Sequence, residues 1–280
     1  AKIRPVATGR DSTHSMLHSS SAPATPNAAS HAESMAVLVF ESVSVYYGGI
    51  QALDAVSFEL RAGQQAALIG PNGAGKSSLF HAAAATVPLA QGDIRIMGQS
   101  IKGLPSHALA GLGLARMSQH ASLFHRLNVS DNLKLATQPL RAQRKPVRRM
   151  EEWRSTVIDA LDLQSDLNRT AESLPLALQR RVELARCMIA QPSVLLLDEP
   201  AAGQTLADWQ AMAQALHQMR RVLGTAVLII EHRLQWLWAM CELCWVLDQG
   251  RLIAQGTPDE VRNCPSVIAA YLGDALHEGS

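Results

Sequence analysis

Eight residues constrain this chain more than any others: Gly70-Pro71-Asn72-Gly73-Ala74-Gly75-Lys76-Ser77 matches G-x-x-x-x-G-K-[ST] at every position. The glycines let the backbone wrap closely, so successive N–H groups point inward at phosphate oxygens. A helix leaving the loop adds the partial positive charge of its N-terminus. Lys76 places a point charge near the β- and γ-phosphates, and Ser77 offers a hydroxyl to Mg²⁺, with Ser78 beside it in the same phosphate-binding set. The loop works only between a strand and a helix. The apolar run Gln65–Ile69 enters it and a helix over Ser77–Ala85 leaves it, so the chain must build an α/β domain around this turn.

A second segment completes the chemistry. Val194-Leu-Leu-Leu-Asp198-Glu199-Pro200 is an apolar strand ending in two acids. Asp198 is placed to hold Mg²⁺, directly or through water. Glu199 can orient or deprotonate an attacking water.

The remaining pattern agrees. Val37–Phe40 and Val56–Glu59 read as strands with a turn at Gly48–Gly49, and Gly92–Met97 as another. Residues 127–187 read as mostly helical. Within them the basic run Arg141–Arg154 reads as a solvated helix face or loop, with contact to acidic lipid headgroups as the alternative. Strands at Val194–Leu197 and Ala226–Ile230 flank a helix over Leu206–Val222, which predicts a βαβ unit with a parallel pair. Cys244–Leu247 and Arg251–Ala254 flank a hairpin turn at Asp248–Gly250. Residues 1–34 are rich in Ser, Ala, His, Thr and Pro without apolar periodicity and read as disordered. Lys2, Arg4 and Arg10 with many serines faintly suggest a targeting peptide, but no h-region follows. A leader added for expression or an upstream start is the other reading, with Met35 as the natural first residue. The ordered domain is expected over 35–273, its helical part over about 120–190, and a tail over 274–280.

Composition excludes some functions. Hydrophobic residues make up 48% of the 280, ample for a large core, and net charge is only +1. With aromatics at 4%, neither a basic stripe nor a base-stacking surface is indicated, and no nucleic-acid partner is expected. No run approaches the roughly 18 apolar residues of a membrane span, so a membrane role must come through a partner. Cys187, Cys241, Cys244 and Cys264 form no disulfide framework. The CxxC at Cys241–Cys244 lies in an apolar stretch and reads as core, in keeping with a reducing cytosol.

Taken in order, these motifs resemble the ATP-binding-cassette (ABC) ATPases over residues 37–273. The resemblance implies an α/β P-loop NTPase fold with a mixed, largely parallel core sheet, an N-terminal antiparallel β subdomain and a helical subdomain. It implies ATP as substrate and Mg²⁺ as its companion. It makes Tyr47 the aromatic that stacks on adenine, with the adjacent Tyr46 as the alternative. Gln119 in Ala115-Arg-Met-Ser-Gln119 takes the place of the Q-loop glutamine, which touches Mg²⁺ or water and couples to the membrane domain. His232 in Ile229-Ile-Glu-His232 takes the place of the switch histidine at the γ-phosphate.

Two regions depart from the family. The signature segment, usually LSGGQ, reads Leu174-Pro175-Leu176-Ala177-Leu178 here. Pro175 lacks both hydroxyl and N–H, and Leu176 and Leu178 bring apolar bulk where phosphate should approach. After Pro200-Ala-Ala-Gly203, Gln204-Thr205 replaces the usual Leu-Asp or Leu-Asn. In this family two cassettes dimerise head to tail, each ATP lying between one P-loop and the other chain's signature. An intact P-loop half beside a degenerate signature implies a non-identical ATPase partner, with one competent and one impaired site.

Tyr46-Tyr-Gly-Gly-Ile-Gln-Ala-Leu53, Asp198-Glu-Pro-Ala-Ala-Gly203, Glu231-His232 and Gly256-Thr-Pro-Asp-Glu260 followed by Ala270-Tyr-Leu-Gly273 are similar to ATPases of branched-chain (hydrophobic) amino acid importers and their urea and amide relatives. That implies transmembrane permeases, a periplasmic or extracellular solute-binding protein, and a place on the cytoplasmic face of the plasma membrane. Leu104-Pro-Ser-His-Ala108 and Gln119–Arg126 resemble instead the homodimeric lipopolysaccharide-export ATPase. A non-transport ATP-binding module with impaired turnover is the reading from another class.

Overall fold

The computed structural model describes residues 35–119, 122–138 and 147–277, without the side chains of 147, 148 and 272–277. The reading of residues 1–34 therefore lies outside the described residues, as do positions 141–146 of the basic run.

The chain begins with a long hairpin, β1 (Ala36–Tyr47) and β2 (Ile50–Arg61), turning at Gly48–Gly49. The expected four-residue strands are twelve residues each. Ser42 and Ala55 sit at φ 49 and interrupt the ladder, and with it the alternation of apolar residues. Serine hydroxyls hold both interruptions: Ser42 N–H donates to Ser57 Oγ (2.8 Å) and Ala55 N–H to Ser44 Oγ (3.0 Å). β3 (Gln65–Ile69) runs into the phosphate loop, and α1 (Lys76–Ala83) leaves it. β4 (Gln91–Ile96) and the short β5 (Gln99–Ser100) join the hairpin in an antiparallel sheet of order β2-β1-β4-β5.

β6 (Leu114–Met117) opens the second half. The helical part follows, with α2 (Val129–Leu135), α3 (Val147–Ala160) and α4 (Leu176–Ile189). Met150 and Trp153 on α3 are buried, and Trp153 Nε1–H donates to the Met188 carbonyl at 2.8 Å. The described end of the basic run thus lies on a helix anchored on α4 by these two residues, with Arg149, Glu151 and Glu152 exposed. β7 (Val194–Asp198), α5 (Leu206–Leu223) and β8 (Ala226–Ile230) form the expected parallel βαβ unit. After the short α6 (Leu234–Trp238), β9 (Leu243–Asp248) and β10 (Arg251–Gly256) make the antiparallel hairpin. α7 (Pro258–Arg262) and α8 (Pro265–His277) close the described chain, so the last helix runs past Gly273 to His277.

The central sheet has the order β10-β9-β3-β8-β7-β6, parallel except for β9–β10. Its inner strands read as unbroken apolar runs because both faces are covered. Alternation sorts their residues into two cores. Ala66, Leu68, Leu196 and Leu228 face the antiparallel sheet and α1. Ala67, Ile69, Leu195, Leu197, Val227 and Ile229 face the helical side. Phe58 lies between Phe40 and Trp245 (centroids 4.4 and 4.3 Å), joining the antiparallel layer to β9. Cys241 and Cys244 are buried free thiols, as expected of core residues, and Cys187 is buried as well. Among the described residues, no helix is long and apolar enough to cross a membrane.

Candidate active site

The parallel strands end on one side of the sheet, and the loops that leave them meet there. The loop after β3 turns at Gly70, where a side chain would strike the Leu247 carbonyl. At Gly75 (φ 102) a Cβ would lie 2.6 Å from the Ala52 oxygen. Only glycine satisfies both the torsion and the close approach. Gly75 is also the N-cap of α1 and supplies no side-chain cap, so no side chain competes for the helix's first N–H groups. The β9–β10 turn braces the loop from behind, with Gly250 N–H donating to the Ala74 carbonyl at 3.0 Å.

Lys76 is only 7% exposed. Its Nζ donates to the carbonyls of Gly70 (2.7 Å) and Pro71 (2.8 Å). An ammonium is costly to bury without partners, and these carbonyls hold it inside its own loop.

Two further loops supply the acids and their partners. Asp198 ends β7, is nearly buried, and lies 3.3 Å from Arg116 Nη2 on β6. Burial pushes its carboxyl above the usual carboxylate range, with the Arg116 guanidinium pulling the other way. Glu199 follows at φ 47, its N–H donating to the Ile230 carbonyl (2.9 Å). This left-handed residue turns the chain sharply at the strand end, a conformation that costs energy outside glycine. One carboxylate oxygen of Glu199 accepts from Gln119 Nε2 (3.0 Å), and the other lies 2.8 Å from His232 Nε2. The three side chains predicted far apart in sequence therefore form one hydrogen-bonded row.

A cavity of about 340 Å³ joins these parts. Asn72, Gly73, Ala74, Gly75, Lys76, Ser77 and Ser78 line one wall, and Gln119, Glu199 and His232 the other. Gly70, Pro71 and Asp198 do not line the cavity. Tyr46 and Tyr47 lie at the end of β1, both roughly half exposed (45% and 42%), and neither lines the cavity.

Two residues of this region were quoted within sequence motifs but given no role of their own. Arg116 was signalled only as the single charge in the strand Leu114–Met117. Glu231, 5% exposed, accepts from the N–H groups of Ala201 (2.8 Å) and His232 (2.9 Å), tying the loop after β8 to the loop after β7.

The signature segment packs partly into the fold. Leu174 is buried, Pro175 begins α4 without a side-chain cap, and Leu178 turns inward against the core. Of the two leucines expected to project, only Leu176 does so, at 53% exposure. It sits over Gly203, where a Cβ would lie 3.0 Å from Leu176 Cδ2. Gln204 Nε2 donates to the Ala177 carbonyl at 3.3 Å, so the two departures from the family pattern pack against each other.

Comparison with known proteins decides the family. A model of ABC transporter ATPases matches residues 53–202, more than half of the chain. The chain belongs to the ABC transporter ATP-binding family. A second model, of branched-chain amino acid ATP-binding cassette transporters, matches residues 251–277 of this cassette. The cassette is 35% identical over 258 residues to the high-affinity branched-chain amino acid transport ATP-binding protein LivG of Salmonella typhimurium, covering 86% of this chain and all of that protein. It is 34% identical over 240 residues to the lipopolysaccharide export system ATP-binding protein LptB of Escherichia coli, covering 86% and 98%. Among solved structures, the ADP conformation of an ABC-transporter cassette superposes with a TM-score of 0.74 at 26% identity, covering 85% of this chain and 99% of that one. The α/β P-loop fold and the ATP-hydrolysing class read from the motifs therefore hold for this cassette.

Proposed function

We propose that this cassette is the ATP-hydrolysing subunit of an importer for branched-chain or related hydrophobic amino acids, working beside a second, non-identical ATPase. One observation carries the pairing: the P-loop half of the site is complete, while the signature half offers Pro175 and an exposed Leu176. The match of residues 251–277 to the branched-chain model supports the import class.

On this reading Gly70–Ser78 hold the nucleotide phosphates, with Lys76 leaving its own carbonyls to meet them, and Tyr47 lies against adenine. Ser77, Gln119 and Asp198 are the residues that would hold Mg²⁺. Their donor set is all oxygen, which suits that hard cation, and when bound it neutralises charge on the phosphates. Glu199 takes the proton of the attacking water. Gln119 and His232 hold its carboxylate from both sides, which fixes the base before substrate arrives. The subunit sits on the cytoplasmic face of the plasma membrane, held by transmembrane permeases and served by a periplasmic or extracellular solute-binding protein.

The likeness to the lipopolysaccharide-export ATPase gives a second reading. A homodimer would carry two impaired signatures, and that weighs against it. ATP hydrolysis by the full chain alone, and mixed with a consensus-signature cassette from a branched-chain importer, tests the pairing. Turnover is expected only in the mixture, and robust turnover by the chain alone would sink the proposal. Loss of labelled leucine uptake on deleting the chain's gene tests the substrate class.

A further inference from the structure

The helix that carries the signature segment also carries a buried ion pair that the reaction does not use. Arg180 and Glu183 have side chains only 4% and 2% exposed, and Arg180 Nη1 lies 3.0 Å from Glu183 Oε2. A buried pair is a weak source of stability, because desolvation consumes most of its Coulombic gain. Among the described residues, its other side-chain bonds run to the segment around Gln119. Arg180 donates to the carbonyls of Ser118 (2.7 Å, from Nη1) and Gln119 (from Nη2). Glu183 Oε1 accepts from Ser122 N–H (2.9 Å) and Oγ–H (3.0 Å). One turn further on, Arg186 donates to the Ser122 carbonyl at 2.6 Å and lies over the Phe124 ring. Three side chains at spacing i, i+3, i+6 thus share one helix face and grip the chain on both sides of Gln119.

We propose that Arg180 and Glu183 are positioning residues for Gln119: they fasten its loop to the signature helix, so that a shift of that helix changes the hold on Glu199. The link is continuous, because Gln119 Nε2 itself bonds Glu199 Oε2 at 3.0 Å. It rests on the reading of Gln119 and Glu199 as the water-activating end of the site.

The variant that separates positioning from stability is Arg180→Met with Glu183→Met. Replacing both charges by apolar side chains of similar size preserves the fold where removing one does not. The full chain, mixed with a consensus-signature cassette, is assayed for Mg–ATP hydrolysis, and alone for amide exchange and thermal unfolding. The double variant is expected to unfold near the native temperature yet turn over about tenfold more slowly, with KM for ATP within about twofold. Gln119→Ala should cause a similar loss, and adding it to the double variant should cause no more. The Ser122 amide should exchange about tenfold faster, while the Phe124 amide, held by Asn132 Oδ1 (2.9 Å), stays protected. Arg180→Lys, which keeps the charge but not the fork, should give an intermediate loss that is also absorbed by Gln119→Ala. Losses that multiply with Gln119→Ala, or a Ser122 amide as protected as in the native chain, would overturn the proposal. Full turnover in Gln119→Ala would overturn the role of Gln119 and the positioning claim with it, while the exchange result would still report separately on the grip.

Discussion

Lys76 and Asp198 are held by the fold in a condition neither would choose in water, since both charged groups are buried. Asp198 is the clearest case, since burial raises its pKa despite Arg116. An acid whose folded pKa is raised binds more protons folded than unfolded, so its cost to stability appears as pH climbs above the ordinary carboxylate value. Asp198→Asn removes that cost while keeping an acceptor for Arg116. The nucleotide-free variant is expected to melt about 1–3 °C higher at neutral pH, with the gain shrinking toward pH 4, as read by calorimetry. Glu199→Gln should bind ATP as tightly as the native chain yet hydrolyse it at least about 100-fold more slowly, because a carboxamide cannot take the proton. The cysteines divide by environment. Burial pushes Cys187 and Cys244 up to about 12 and raises Cys241 further, whereas Cys264, bonded to Ser266, is lowered. A maleimide at neutral pH should label Cys264 alone, with the other three reacting only after unfolding, as counted by mass spectrometry.

Elements were legible where one rule governed them. β3, β7 and β8 came out of the sequence almost residue for residue, because both faces of a central parallel strand are buried and the apolar run is unbroken. Leu228, fully buried, has no polar alternative there, and Leu228→Ala should cost about 2–5 kcal/mol in denaturant unfolding. The exposed Val222→Ala should change stability by less than about 0.5 kcal/mol. β1 and β2 were read at a third of their length because Ser42 and Ala55 shift the register, and a period of two cannot be followed through a bulge. The phosphate loop and the Asp198–Glu199 pair could be picked out because each needs fixed residue types at fixed spacing, whereas Gln119 and His232 were singled out by resemblance and the structure brings both to Glu199. Arg116, Glu231 and the Arg180–Glu183 pair were not legible, because they act through contacts made only when distant segments meet. The inward turn of Leu178 was hidden for the same reason: the sequence gives its apolar character, and only the packing of α4 gives its direction.

At the scale of the whole molecule, the loops at one end of the parallel strands gather the residues that the proposed reading assigns to holding and attacking a terminal phosphate, and a different surface carries the segment that the same reading assigns to a partner's nucleotide. The first is complete and the second is apolar at Leu176. Repairing the second by Pro175→Ser, Leu176→Gly and Leu178→Gln should confer ATP hydrolysis on the chain without a partner, at some loss of stability as Leu178 leaves the core. On the proposed pairing, turnover belongs to this chain's P-loop and its partner's signature. The pairing is tested most directly by disabling one catalytic glutamate at a time in the assembled pair and measuring steady-state ATP hydrolysis. Glu199→Gln in this chain should remove nearly all turnover, while the matching substitution in the partner should leave most of it. Equal losses from either side, or a larger loss from the partner's substitution, would overturn that pairing.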